Sequence, residues 1–235
     1  MLKRLPVMFA AVLALSVLAA CGSDDDAPDA ASDPTSETTP EDASTDEPAA
    51  DGACAYVEDP QGAAKEAEMP PGDPAQQGDV AVTISTNTGD IGATLDAEAA
   101  PCTVNSFVSL AEQGYFDDTQ CHRLTTQGIF VLQCGDPSAS GMGGPGYTIP
   151  DELSGEETYP AGTLAMAKTP MPDSGGSQFF IVYEDTQLPP EYTVFGSIDD
   201  DGLTVTQDIA AQGTESGEPD GAPKETVEIT GVTVG

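Results

Sequence analysis

The chain has 235 residues, with 41 acidic side chains against 6 basic ones and a formal charge of −35. Such a field repels nucleic acid and anionic lipid surfaces, which excludes polyanion binding as a function class. One histidine in the whole chain, and cysteine spacings that match no zinc pattern, leave no metal site to expect.

Met1 to Ala20 reads as a signal peptide, with Lys3 and Arg4 ahead of an apolar run. That run, Leu5–Ala20, is 16 residues, short for a hydrocarbon core of ~30 Å. It ends in Leu18-Ala19-Ala20-Cys21-Gly22, which resembles the lipobox of bacterial lipoproteins. The resemblance implies cleavage before Cys21, acylation of its thiol, and a domain held at the cell membrane on the extracytoplasmic side. Residues 21–78 read as an acidic tether, with 16 acids and one base, Lys65, after Cys21. Its first half lacks apolar side chains larger than alanine and is expected to stay an extended coil. Cys54–Val57 and Ala63–Ala67 are the parts expected to dock on the domain, without a fold of their own.

Residues 79–235 form the expected folded domain and carry 25 acids against 3 bases. The excess there is read as solubility, with a preference for basic client proteins as the sharper alternative. Val80–Thr86 alternates and is β-branched, and Asn87–Asp90 is a turn into Ile91–Leu95, which predicts a hairpin. Pro101 opens an amphipathic helix to about Gln113, with Val104, Phe107, Val108, Leu110 and Ala111 inward and Gly114 ending it. Two apolar runs, Cys121–Leu124 and Phe130–Gln133, flank Gly128 as a central hairpin. Alternation there puts Phe130 and Leu132 on one side and Val131 and Gln133 on the other. Gly135–Gly146 is glycine-rich, but without a βα context it is no phosphate loop. Further strands are expected at Gly162–Ala167, Ser177–Tyr183, Thr193–Ile198 and Thr226–Val234, and a helix at Leu203–Ala211. The pattern is mostly β, and roughly eight antiparallel strands with two helices suggest a closed barrel with helical caps.

Arg123 is the only arginine beyond Arg4. It lies in His122-Arg123 … Phe130-Val131-Leu132-Gln133-Cys134-Gly135-Asp136. Gly176-Ser177-Gln178-Phe179-Phe180 follows, and then Val194-Phe195-Gly196. These three blocks, in this order and spacing, resemble the cyclophilin-type peptidyl-prolyl cis-trans isomerases from about Val80 to Val234. Pro101–Leu110 is similar in wording to an actinobacterial lipoprotein branch of that family. The resemblance implies a closed eight-stranded antiparallel barrel capped by two helices, no cofactor, a monomer, and proline-containing polypeptides as substrates.

By the same resemblance Arg123 is the catalytic cation, aimed at the imide nitrogen of an X-Pro bond, with Gln133 beside it and Phe130 and Phe180 as aromatic walls of the proline pocket. Substrate contacts fall on Val131, Ala167, Lys168, Gln178, Phe180, Gln187, Leu188 and Tyr192. His122 is read as buried, hydrogen-bonded and structural. The chain departs from the family at several of these positions. Val131 replaces a methionine, Lys168 an asparagine, and Gln187 and Tyr192 a tryptophan and a histidine. The central hairpin is two residues longer within Thr125–Ile129, and the loop 170–175 one residue longer. Loss of the tryptophan implies weakened cyclosporin binding.

With Cys21 assigned to lipid, Cys54, Cys102, Cys121 and Cys134 remain, an even number in an exported chain. Three connectivities are open; the shared hairpin favours Cys121 with Cys134, which pairs Cys54 with Cys102. Two functional readings stand: an isomerase acting on exported proteins, and a non-catalytic module that binds proline-containing segments.

Overall fold

The computed structural model describes residues 53–235. The expected signal peptide and Cys21 lie outside the described residues.

Strand β1 is Val57–Ala63. β2, Asp79–Thr86, and β3, Gly89–Asp96, make the expected hairpin, in unbroken register from Asp79↔Asp96 to Thr86↔Gly89. Strict alternation buries Val80, Val82 and Ile84 of β2. Helix α1, Pro101–Glu112, starts on its proline and is followed by Gly114 at φ 65°. Then come β4, Thr119–Gln120; β5, Arg123–Thr125; β6, Val131–Cys134; and β7, Pro145–Thr148. β8, Thr163–Met166, β9, Phe179–Val182, and β10, Val194–Ile198, complete the central strands. Helix α2, Asp200–Ala211, begins three residues before the apolar pattern does, because Asp199 caps it by accepting the Gly202 N–H. β11, Asp220–Gly221, and β12, Glu228–Val234, end the chain.

The main sheet runs β11-β5-β6-β9-β8-β10-β3-β2-β12-β4, every pairing antiparallel. Its two ends meet. β4 pairs with β12, β5 pairs with β6, and Gln120 bridges to Asp136. β4 and β5 are thus the halves of one bent segment, 119–125, and counting it once gives an eight-stranded ring around the core. Phe107 of α1 reaches into that core and stacks against Phe116, Phe179 and Phe195 at 5.0, 5.5 and 5.4 Å. Gly135 permits a close crossing: at φ +86° an added Cβ would stand 2.2 Å from the Ser177 carbonyl oxygen.

α1 buries nine of its twelve residues, more than one amphipathic face supplies. Residues 53–78 cover the second face. Cys54 is bonded to Cys102, and the Tyr56 hydroxyl donates to the Cys102 carbonyl. Asn105 of α1 donates its amide to Tyr56 and to the Pro71 carbonyl. β1 adds to β7 as a separate two-stranded sheet. Lys65 donates to the carbonyls of Gly114, Tyr115 and Asp117 just past the helix end, where a cation is favoured. These residues form a strap on the domain and bring little core of their own. The second disulfide, Cys121–Cys134, ties the two arms of the central hairpin, so both expected pairings are present.

Candidate active site

Antiparallel register sets five side chains in one row across the sheet. Arg123 lies opposite Gln133, Gln133 opposite Phe180, Phe180 opposite Ala165, and Ala165 opposite Val194. Directly opposed residues project from the same face. That face is the outer one, because their neighbours Leu124, Leu132 and Ile181 fill the barrel. A second apolar cluster forms here from Val131, Tyr159, Ala165, Phe180 and Val182, with Ile129, Leu188 and Tyr192 packed on it. Above it opens a cavity of about 170 Å³, lined by Arg123, Ile129, Val131, Gln133, Ala167, Lys168, Phe180, Leu188 and Tyr192.

The walls are braced. Phe180 and Tyr192 meet edge to face at 5.5 Å, and Tyr159 packs on both rings. The Tyr159 hydroxyl accepts the Tyr192 N–H at 3.0 Å and reaches the Tyr192 and Pro189 carbonyls. That holds the Leu188–Tyr192 loop against the cavity.

Arg123 sits at the rim. Its Nη1 donates to Gln133 Oε1 at 3.3 Å, while Nε and Nη2 donate to the two carboxylate oxygens of Asp220 at 2.8 and 2.7 Å. The carboxylate raises the guanidinium pKa further, and the guanidinium holds Asp220 below the usual carboxylate range. Gln133 passes its amide to Gln178 Oε1 at 2.9 Å, and Gln178 donates to the Gly143 carbonyl at 2.9 Å. Gly143 is itself held by Asp136, whose fully buried carboxylate accepts the N–H groups of Ser138, Gly141 and Gly143. Burial alone would raise the Asp136 pKa; the bonds from Ser138, Gly143 and Gly141 outweigh it and keep the group ionised. A continuous polar chain therefore runs from Asp136 through the glycine loop and two glutamines to Arg123.

Most expected site residues converge on the cavity: Arg123, Val131, Gln133, Ala167, Lys168, Phe180, Leu188 and Tyr192. Gln178 stands one step back, as the support of Gln133. Two expectations are corrected. Phe130 is not a wall of the cavity; its ring packs toward the main core, 6.0 Å from Tyr183. Val131 and Gln133 occupy the outer face, and alternation turns Phe130 inward with Leu132, so Ile129 takes its place at the cavity. Gln187 is exposed and outside the lining, because its neighbours Thr186 and Leu188 are the ones that point inward. His122, expected to be buried and hydrogen-bonded, is only partly buried, and neither ring nitrogen has a hydrogen-bond partner among the described residues. Burial lowers its pKa, with Asp136 opposing and Arg123 adding to the shift.

Sequence reasoning also missed Asp220 and Asp151. Lys168 pairs with the Asp151 carboxylate, so it presents no free charge to the cavity. Asp220 lies 97 residues from Arg123 in a stretch without a motif. The one signal for it was the need of a lone arginine for a counter-ion.

Residues 81–234 match the family described as cyclophilin type peptidyl-prolyl cis-trans isomerase/CLD. The chain is 48% identical over 197 residues to the probable peptidyl-prolyl cis-trans isomerase B of Mycobacterium tuberculosis, covering 76% of this chain and 63% of that protein. The probable isomerase B of Mycobacterium leprae is 47% identical over 194 residues, covering 75% and 64%. The chain thus spans less than two thirds of the length of these relatives. A crystal structure of a cyclophilin-type isomerase from Cryptosporidium parvum superposes with a TM-score of 0.59 at 29% identity, over 67% of this chain and 98% of that one. Together with the eight-stranded ring and the outer-face cavity, these matches place the chain in the cyclophilin family.

Proposed function

We propose that this chain is a peptidyl-prolyl cis-trans isomerase, with Arg123 acting on a proline seated in the outer cavity. The observation that carries the reading is a guanidinium fixed by partners on both sides at the rim of a small pocket that Ile129, Val131, Phe180 and Leu188 also line. A cavity of about 150 Å³ accommodates benzene; one of about 170 Å³ is of the right size for a pyrrolidine ring.

Rotation about X-Pro faces a barrier of ~18–20 kcal/mol because resonance gives the C–N bond double-bond character. No acid–base step or nucleophile is required. An N–H of Arg123 directed at the imide nitrogen favours its pyramidal form, which exists only in the twisted state. That is differential binding of the transition state by a preorganised charge. Phe180, Val131, Ile129, Leu188 and Tyr192 hold the ring and exclude water, and Gln133 keeps the guanidinium in place.

We further infer that the substrates are exported proteins and that the domain is anchored through lipid at Cys21 as a monomer. The leader, the Leu18–Cys21 sequence and two disulfides in one domain support this reading. The test is NMR exchange of an Ala-Pro peptide with the full chain and its Arg123→Ala form. Acceleration that the substitution abolishes supports the isomerase. Peptide binding at the uncatalysed exchange rate would favour the non-catalytic binding module. Mass spectrometry of the mature N-terminus tests the anchor.

A further inference from the structure

The excursion between α2 and β12 approaches the site from outside the barrel. Its closing strand β11 pairs with β5, Asp220 opposite Thr125 and Gly221 opposite Leu124. The Thr126 N–H donates to the Pro219 carbonyl at 2.8 Å, so the backbone around Asp220 is seated independently of its side chain. The excursion folds on itself as well, through Glu215 N–H to Ala222 O and Lys224 N–H to Gly213 O. Its effect is to deliver one carboxylate to the strand that bears the arginine.

The geometry of that delivery matters. A guanidinium has five N–H donors in a rigid fork. Asp220 takes the Nε–H and one on Nη2; Gln133 takes one on Nη1. Two remain, one on each Nη. With Gln133 alone, at 3.3 Å, the plane would be free to swing about its long stem. The side-on carboxylate fixes the plane and selects which donors stay free.

Stability is a poor explanation for the pair. Its side chains are 38% and 56% exposed, and ion pairs so exposed stabilise a fold little. Nor is the carboxylate neutral in its effect on chemistry, since it partly cancels the charge that the imide would feel. A carboxylate placed there is tolerable only if orientation counts for more than net charge.

We propose that Asp220 is a positioning residue for Arg123, clamping the guanidinium so that its two remaining N–H groups face the proline cavity. This rests on the isomerase reading above. Misplacement of a catalytic group by about 1 Å costs up to ~10²-fold in rate, and partial loosening is expected to cost about tenfold.

The experiment uses the full chain with Asp220→Ala, Asp220→Asn and Asp220→Glu. Exchange kinetics on an Ala-Pro peptide should show kcat reduced about tenfold by Ala and Asn, KM changed less than about twofold, and partial rescue by Glu. In an Arg123→Ala background Asp220→Ala should have no further effect. The Arg123 Nε–H resonance should be sharp and slow to exchange in the parent chain and lost in both Ala and Asn variants. Backbone amide shifts of Thr125 and Thr126 serve as the folding control; Asp220→Asn, which keeps the side-chain shape, decides if Ala disturbs the excursion. Unchanged kcat in a folded Asn variant overturns the proposal. If the parent chain fails to accelerate exchange, the isomerase reading falls. The clamp is then judged by the Nε–H signal alone, and its persistence in the Asn variant sinks it.

Discussion

Lys168 and Asp151 form an ion pair at the edge of the outer-face cavity, with side chains only 11% and 13% exposed. The Asp151 carboxylate also accepts the Asp173 N–H, and Asp173 accepts the Asp151 N–H in return. The pair therefore helps lock the 170–175 loop to the chain before it. Lys168→Asn, the residue that the family resemblance implies at this position, would leave the mostly buried Asp151 carboxylate without its cation. The expected loss is about 3 kcal/mol in urea unfolding, the low end for breaking a buried pair. Adding Asp151→Asn should recover most of it. Equal stability of the single and double variants would show that the pair is not the lock.

Ile129 and Phe130 exchange the roles that their order suggests. Ile129→Ala should raise KM for a proline peptide about three- to tenfold with little loss of stability, as one apolar contact to the ring is removed. Phe130→Ala should instead destabilise by about 3 kcal/mol with KM nearly unchanged. Peptide titration and thermal unfolding of both variants check this, and a larger KM effect from Phe130 would return that ring to the cavity.

The disulfide Cys121–Cys134 closes a loop of 13 residues in which Arg123 and Gln133 both lie. Replacing both cysteines by serine should cost about 3 kcal/mol through the entropy regained by the unfolded chain. Because the cross-link borders both polar site residues, kcat/KM should fall as well, by about tenfold. A stable reduced form with full activity would confine the bond to a structural role.

His122 offers a pH signature. Its folded pKa lies below the ordinary 6.5, so the native state resists the proton that the unfolded chain accepts. Its contribution to stability is complete above that value and declines as pH falls from 6.5 toward the folded pKa. Since neither ring nitrogen has a partner among the described residues, His122→Phe should be tolerated at pH 7 and should flatten the decline between pH 7 and 5. Chemical unfolding at several pH values reads both; an identical decline in the variant would assign it to another group.

Much of this was legible in the residues. The β2–β3 hairpin, α1 and the central hairpin are marked by period, turn and proline, and they stand where those signals put them. The row Arg123–Gln133–Phe180 follows once register is known, and the motif spacing already implied it. What alternation could not foresee was the turn between β5 and β6, which supplies Ile129 to the cavity from a loop position. Asp220 and Asp151 were hidden for another reason: each meets its cation through tertiary closure, 97 and 17 residues along the chain. In so acidic a sequence no single carboxylate stands out.

The strap of residues 53–78 also decides how the domain bears mechanical load. Cys54 is the first anchored point of that strap, and its bond leads straight to Cys102 in the first turn of α1. Tyr56, β1 and Lys65 all lie beyond it along the chain. A pull applied upstream of Cys54 therefore passes through a covalent link into the helix that plugs the barrel. The hydrogen bonds of β1 with β7, and the three that Lys65 donates, lie off the load path and need not break. Strain on the chain's leading end reaches the rigid core while the cavity on the outer face keeps its shape.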